Sequence, residues 1–167
     1  MKGEEELEGH EVRVLLVLDA FDIGGTETHV LSLAKELIKQ GSSVFVTGDP
    51  GPLENQFKKL SCEIYIDKTN KQKLENWIRI NKINVIHAHL QDSGIVAVQL
   101  SKKLNIPLIY TFHGIFYNLE ETKELFKQCS IKPTLISVSE PVQHHLKQNG
   151  IFTVFIPNGI DMKLFRR

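Results

Sequence analysis

Several features that would assign a chain to a functional class are missing from this one. Charge of one sign is missing: 20 basic and 20 acidic residues cancel to a formal net charge of zero. That removes the electrostatic footprint of a nucleic-acid-binding domain, and no nucleic-acid partner is expected. Cysteine is scarce. Cys62 and Cys129 are the only two, and they stand far apart without a C-x-x-C, as in an ordinary cytosolic protein, with no disulfide framework. No apolar run approaches the roughly 18 residues of a membrane span. The segment from Asp19 to Glu27 has no G-x-G-x-x-G, which weighs against a dinucleotide-binding oxidoreductase; Asp49, an acid after the second strand, does not rescue that reading. Ser137 and Ser139 flank Val138 with no G-x-S-x-G, so no hydrolase nucleophile elbow is present. The start, Met1 to Glu11, carries Glu4, Glu5, Glu6, Glu8 and Glu11 and no apolar stretch. It is not a signal peptide and reads as an acidic flexible tail.

What is present is a core and a rhythm. In 167 residues, 41% are apolar, enough for one domain with a real interior. Val12 to Leu18 is short, continuous and valine-rich, the pattern of a buried parallel strand. After Gly24 and Gly25 the period changes. Val30, Leu33, Ala34, Leu37 and Ile38 form one face of an amphipathic helix, and Gly41 suits its C-terminal cap. Further strands are expected at Val44–Val46, Ile64–Ile66, Asn84–Ala88, Leu108–Phe112, Leu135–Val138 and Thr153–Ile156. Helices are expected at Leu53–Leu60, Leu74–Ile80, Ser93–Leu104 and Leu119–Cys129. One more opens at Ser139-Glu140-Pro141 and ends at Gly150. Asp67 to Lys73 reads as a basic loop. Strand and helix alternate throughout, which predicts a Rossmann-like α/β domain over 12–161: a parallel sheet of about seven strands, helices on both faces.

Ligands of such a sheet bind beyond the carboxyl ends of its strands. Gly24, Gly25 and Thr26 follow the first strand, His89 and Asp92 the fourth, His113 the fifth, Ser139 the sixth, and Asn158 and Gly159 the seventh. Two glycines between a strand and a helix either permit a sharp turn or clear space for an anion at the helix N-terminus. His87 and His89 share one face of a strand. As metal ligands they would need a third from His113 or Asp92, and with no cysteine or carboxylate at ligand spacing no metal is expected. The simpler reading makes His87 a hydrogen-bonded core residue and His89 a rim residue. His113 alone is ambiguous between structure and chemistry, and His144-His145 reads as helix surface.

Together these stretches resemble the N-terminal domain of retaining GT-B glycosyltransferases of family four. The matching pieces are Gly24-Gly25-Thr26-Glu27-Thr28-His29, Val85-Ile86-His87-Ala88-His89, Tyr110-Thr111-Phe112-His113-Gly114, Ser137-Val138-Ser139-Glu140 and Ile156-Pro157-Asn158-Gly159-Ile160-Asp161. The resemblance implies transfer of a sugar from a nucleotide-sugar donor to a glycan or lipid-linked acceptor with retention of configuration, in polysaccharide biosynthesis, with no cofactor or metal. It implies that Gly24, Gly25 and Thr26 form a loop near donor phosphates and acceptor. His113 becomes the active-site histidine, His89 and Asp92 the acceptor side, and Ser139, Asn158 and Gly159 the cleft rim. It implies a cytoplasmic protein, with peripheral membrane association at the inner face left open; Lys68, Lys71 and Lys73 make only a small basic cluster. In the family most donor contacts lie in a second domain that this sequence does not contain, so the chain is expected to be the acceptor-side half, with 162–167 starting the interdomain connection. The competing reading is a non-catalytic module of the same fold that holds a glycan or a protein.

Overall fold

The computed structural model describes residues 11–67, 70–89, 91–115 and 118–159. The acidic tail before Glu11, Lys68, Ile160, Asp161 and the expected connection at 162–167 lie outside these residues.

Among the described residues, thirteen elements follow one another in strict alternation: β1 (Arg13–Ala20), α1 (Gly25–Lys39), β2 (Ser43–Asp49), α2 (Glu54–Lys59), β3 (Glu63–Ile66), α3 (Lys71–Ile80), β4 (Val85–Ala88), α4 (Gln91–Leu104), β5 (Leu108–Phe112), α5 (Leu119–Phe126), β6 (Thr134–Ser137), α6 (Glu140–Gln148) and β7 (Val154–Phe155). The strands pair in parallel in the order β3-β2-β1-β4-β5-β6-β7. The chain lays down β1, β2 and β3 to one side, then returns past β1 to place β4. Connections leave the β1/β4 boundary in opposite directions, which opens a crevice above it.

The continuity of the first apolar run has a simple cause. Val14, Leu16 and Leu18 point to one face, against Val30 and Ala34 of α1 and Phe57 of α2. Leu15 and Val17 point to the other, against Leu74 and Ile78 of α3 and Ala97 and Val98 of α4. Leu15, Leu16, Val17 and Leu18 are fully buried, each stabilising the fold by roughly 1.5–3 kcal/mol.

The differences from expectation are local. β1 runs on to Ala20, which pairs with Asp49 across an irregularity after Val17. Lys71 and Lys73, expected in a loop, lie in the first turn of α3, because the Asn70 side chain accepts from the Lys73 backbone N–H at 3.2 Å; an asparagine cap moves the start forward. α5 ends at Phe126 rather than Cys129, its chain tightening into i→i−3 bonds from Gln128 and Cys129. β7 is two residues long, and both of them, Val154 and Phe155, are exposed, as are Phe152 and Ile156 beside it. Glu11, counted with the tail, is tied down: its carboxylate accepts from Ser43 and Arg13, and its carbonyl from Asn84. Gly41 and Gly150 take positive φ (88° and 77°) after α1 and α6, as capping glycines do. Among the described residues, no helix is long and apolar enough to cross a membrane.

Candidate functional site

The site sits above the β1/β4 boundary and begins with the turn after β1. Buried Phe21 pins that turn: its N–H donates to the Asp49 carbonyl at 2.9 Å and its carbonyl accepts from Leu53 at 2.9 Å. Gly24 caps α1 in extended backbone (φ −147°, ψ 174°). Its carbonyl accepts from the Thr28 N–H at 3.0 Å and the Thr28 hydroxyl at 2.7 Å. Neither Gly24 nor Gly25 has positive φ, so a left-handed turn does not explain the pair. A Cβ added at Gly25 meets nothing within 4 Å. The missing side chain there leaves open space at the positive end of a 15-residue helix. One group already answers that end. Glu27 is buried in the first turn and folds back far enough that a Cβ on Gly24 would collide with its carboxylate.

Beside the turn stand four histidines. His87 and His89 share a face at the end of β4, their rings 4.1 Å apart. Thr111 and His113 share the matching face at the end of β5. Two parallel rungs result: His87 Nε2 to Thr111 Oγ1 at 2.8 Å, and His89 Nδ1 to His113 Nε2 at 3.2 Å, both across 24 residues of chain. The fourth, His29, projects from α1, four residues past Gly25, and meets His113 edge-on with ring centroids 5.0 Å apart and His89 at 5.8 Å. One ring nitrogen from each of His29, His89 and His113 falls within 4.8 Å of the others. Burial pushes the histidines down from their ordinary value, His113 to about 4 with His29 adding to the effect, and His87 to about 3. His29 is lowered and His89 lowered well below its usual range, again by burial first. All four are therefore neutral at pH 7, able to donate one hydrogen bond, accept another or ligate a metal, but carrying no charge.

The other expected residues divide. His89, expected on the rim, is fully buried, with the His113 ring 5.4 Å and the His29 ring of α1 5.8 Å from its own. His87 is the core histidine expected, held by Thr111. The metal-ligand combination weighed from sequence, His87 with His89, is not the one that forms; His29 replaces His87. Asp92 is exposed in the first turn of α4. Asp19, not singled out from sequence, reaches that helix instead, accepting from the Ser93 N–H at 2.6 Å. Ser139 spends its hydroxyl as the α6 cap, accepting from Val142 N–H at 3.4 Å. Asn158 and Gly159 are exposed past β7, as is His144 on α6. His29 is the residue sequence reasoning missed, although it closes the first matching stretch. The available signal was helical spacing: residue 29 lies one turn beyond Gly25 and on its side of the helix.

A parallel, doubly wound sheet with neutral polar groups and an open glycine turn at its switch point defines a Rossmann-like domain of the GT-B type. The sequence profile of Glycosyltransferase Family 4 matches residues 23–164, and the chain belongs to that family. The fold is similar to that of HepE from Anabaena, solved in complex with UDP-glucose, with a TM-score of 0.77 and 17% identity over 94% of this chain and 46% of that one. It is similar to a glycosyltransferase from Rickettsia africae (TM-score 0.76, 19% identity, 93% and 45% covered). It is also similar to sucrose-phosphate synthase from Thermosynechococcus elongatus (TM-score 0.66, 17% identity, 92% and 50% covered). The chain thus spans about half the length of these structures. No curated protein sequence matches it.

Proposed function

We propose that this chain is the N-terminal, acceptor-side domain of a glycosyltransferase that moves a sugar from a nucleotide-sugar donor to a glycan or lipid-linked acceptor with retention of configuration. The observation that carries the reading is the meeting of His113, His29 and the open Gly25 turn at the switch point of a family 4 domain. HepE was solved with UDP-glucose and with UDP and glucose, which supports a nucleotide sugar as the partner here. In this reading Gly24, Gly25 and Thr26 bring backbone N–H groups to the donor phosphate. Neutral His113 hydrogen-bonds a hydroxyl of the transferred sugar, with its ring held by His89 behind and His29 beside. A neutral imidazole is suited to an uncharged hydroxyl and holds no charge to waste on the phosphate. Asp92 and the 158–159 segment face the acceptor and the second domain. No resident metal or cofactor takes part, and the protein acts in the cytoplasm or at the inner membrane face.

Transfer by the full-length protein, assayed across UDP-, GDP- and ADP-sugars with an acceptor extract, tests the reading. The product should keep the anomeric configuration of the donor, read by NMR. Failure of every donor, with a glycan or protein still bound by the 167-residue chain, would favour the non-catalytic module. Glu27 gives that second reading its one physical support, since a carboxylate at the helix N-terminus competes with a phosphate for the same N–H groups.

A further inference from the structure

We propose that His29, His89 and His113 form a binding site for a divalent transition metal of the zinc class, taken up in place of the sugar rather than as a catalyst. The three ligands come from three elements, α1 and the ends of β4 and β5, and one ring nitrogen of each lies within 4.8 Å of the others. The donor set decides which metal. Three imidazoles suit zinc, copper or nickel, whereas magnesium and calcium take oxygen ligands. Coordination uses the lone pair of a neutral imidazole nitrogen on each ring.

The geometry is close to what zinc requires. Zinc–nitrogen bonds of about 2.0–2.1 Å in a tetrahedron place ligand nitrogens about 3.3 Å apart. His89 Nδ1 and His113 Nε2 are already 3.2 Å apart. His29 is half-buried on a helix, so it has room for the swing of at most about 1.5 Å that closes the triangle from 4.8 Å. Binding replaces the His89–His113 hydrogen bond: the ring that donates in it moves its proton to its other nitrogen, and no net proton is released. His113 and His29 both reach the surface, which provides an entry path and leaves a fourth position for water. Since His113 is the group assigned to the sugar hydroxyl, metal and sugar exclude each other. That exclusion rests on the proposed function; the binding itself does not.

The test uses the purified 167-residue chain, freed of metal and titrated with zinc by calorimetry and with cobalt by visible absorption. Saturable one-to-one zinc binding of about micromolar strength is expected, with cobalt giving tetrahedral d–d bands. His29→Ala, a substitution on a half-exposed helix position, should stay folded by circular dichroism and weaken binding by about 10-fold or more. His113→Ala should do the same, and His145→Ala on α6 should change nothing. No saturable binding at about 100 times the expected dissociation constant, or wild-type binding by His29→Ala, would overturn the site while leaving sugar transfer untouched. In the full-length protein zinc should raise the apparent KM for the sugar substrates; zinc bound to the protein with transfer unchanged would overturn the exclusion.

Discussion

At the scale of single residues, His113 and Gly25 carry the proposed function and would do so differently. His113→Ala in the full-length protein should lower kcat by about 10² to 10³, the usual loss of one pre-organised polar contact, with His113→Gln restoring part of it. A loss below about threefold would assign His113 to structure alone. Gly25 is the cleaner probe, because its Cβ position is empty. Gly25→Val should leave the melting temperature within a few degrees of wild type, since valine has a slightly better helix propensity than glycine, yet sharply reduce transfer. Unchanged turnover would mean that no ligand approaches that backbone. The placement was legible in the sequence: the glycine pair and the strand-end histidine fall at the switch point of the sheet by position alone. The partnership was not. That His29 faces His113 depends on how α1 packs over β4 and β5, a tertiary fact that local spacing does not encode. His89 was misplaced on the rim because the last residue of a strand looks the same in sequence whether a helix covers it or not.

At the scale of elements, α4 approaches β5 closely at Gly94. Gly94 lies where a Cβ would stand 2.5 Å from Tyr110 Cε2. Tyr110 is buried at 1% exposure and packed edge-on against Phe112 and Phe126, at 4.8 and 5.1 Å. It has little room to retreat. Gly94→Ala gains about 1 kcal/mol in helix propensity but loses about 1–3 kcal/mol to overpacking. The overpacking wins, and the melting temperature should fall by several degrees; a rise would show that Tyr110 moves freely. The elements were the most readable level. Runs of period two or of continuous valine, leucine and isoleucine mark β1, β2 and β5, and Ser139-Glu140-Pro141 marks α6 as found. The failures sit at ends. Asn70 capping α3 and the tightening after Phe126 are decided by single hydrogen bonds, too small a signal to stand out beside hydrophobic periodicity.

At the scale of the whole molecule, the neutral histidines make the fold acid-sensitive. Their ordinary value is 6.5, and in the folded chain His87 and His113 lie near 3 and 4. The unfolded chain therefore binds protons first as pH falls. Stability is fully present above pH 6.5 and is lost between there and about 3, the loss setting in at higher pH than carboxylates alone would predict. Urea midpoints at pH 7.5 and pH 5 should differ for the wild type, and less so for His113→Gln; equal midpoints would contradict the burial. If, as proposed, the chain supplies one wall of a two-domain cleft, it should fold alone but bind nucleotide sugars at about millimolar strength, near 4 kcal/mol. Micromolar binding with turnover in calorimetry would place a complete site in these residues. The central position of β1 also implies an order of events in time. Arg13 meets Ser43 after 30 residues and Asn84 after 71, and closing the longer loop costs about 0.8 kcal/mol more entropy. The β1-α1-β2 unit should therefore nucleate folding, with β4 zipping onto its far side afterwards. Stopped-flow chevrons should then show Val46→Ala slowing folding and Ile86→Val mainly speeding unfolding, and the opposite pattern would put the nucleus on the β1–β4 pair.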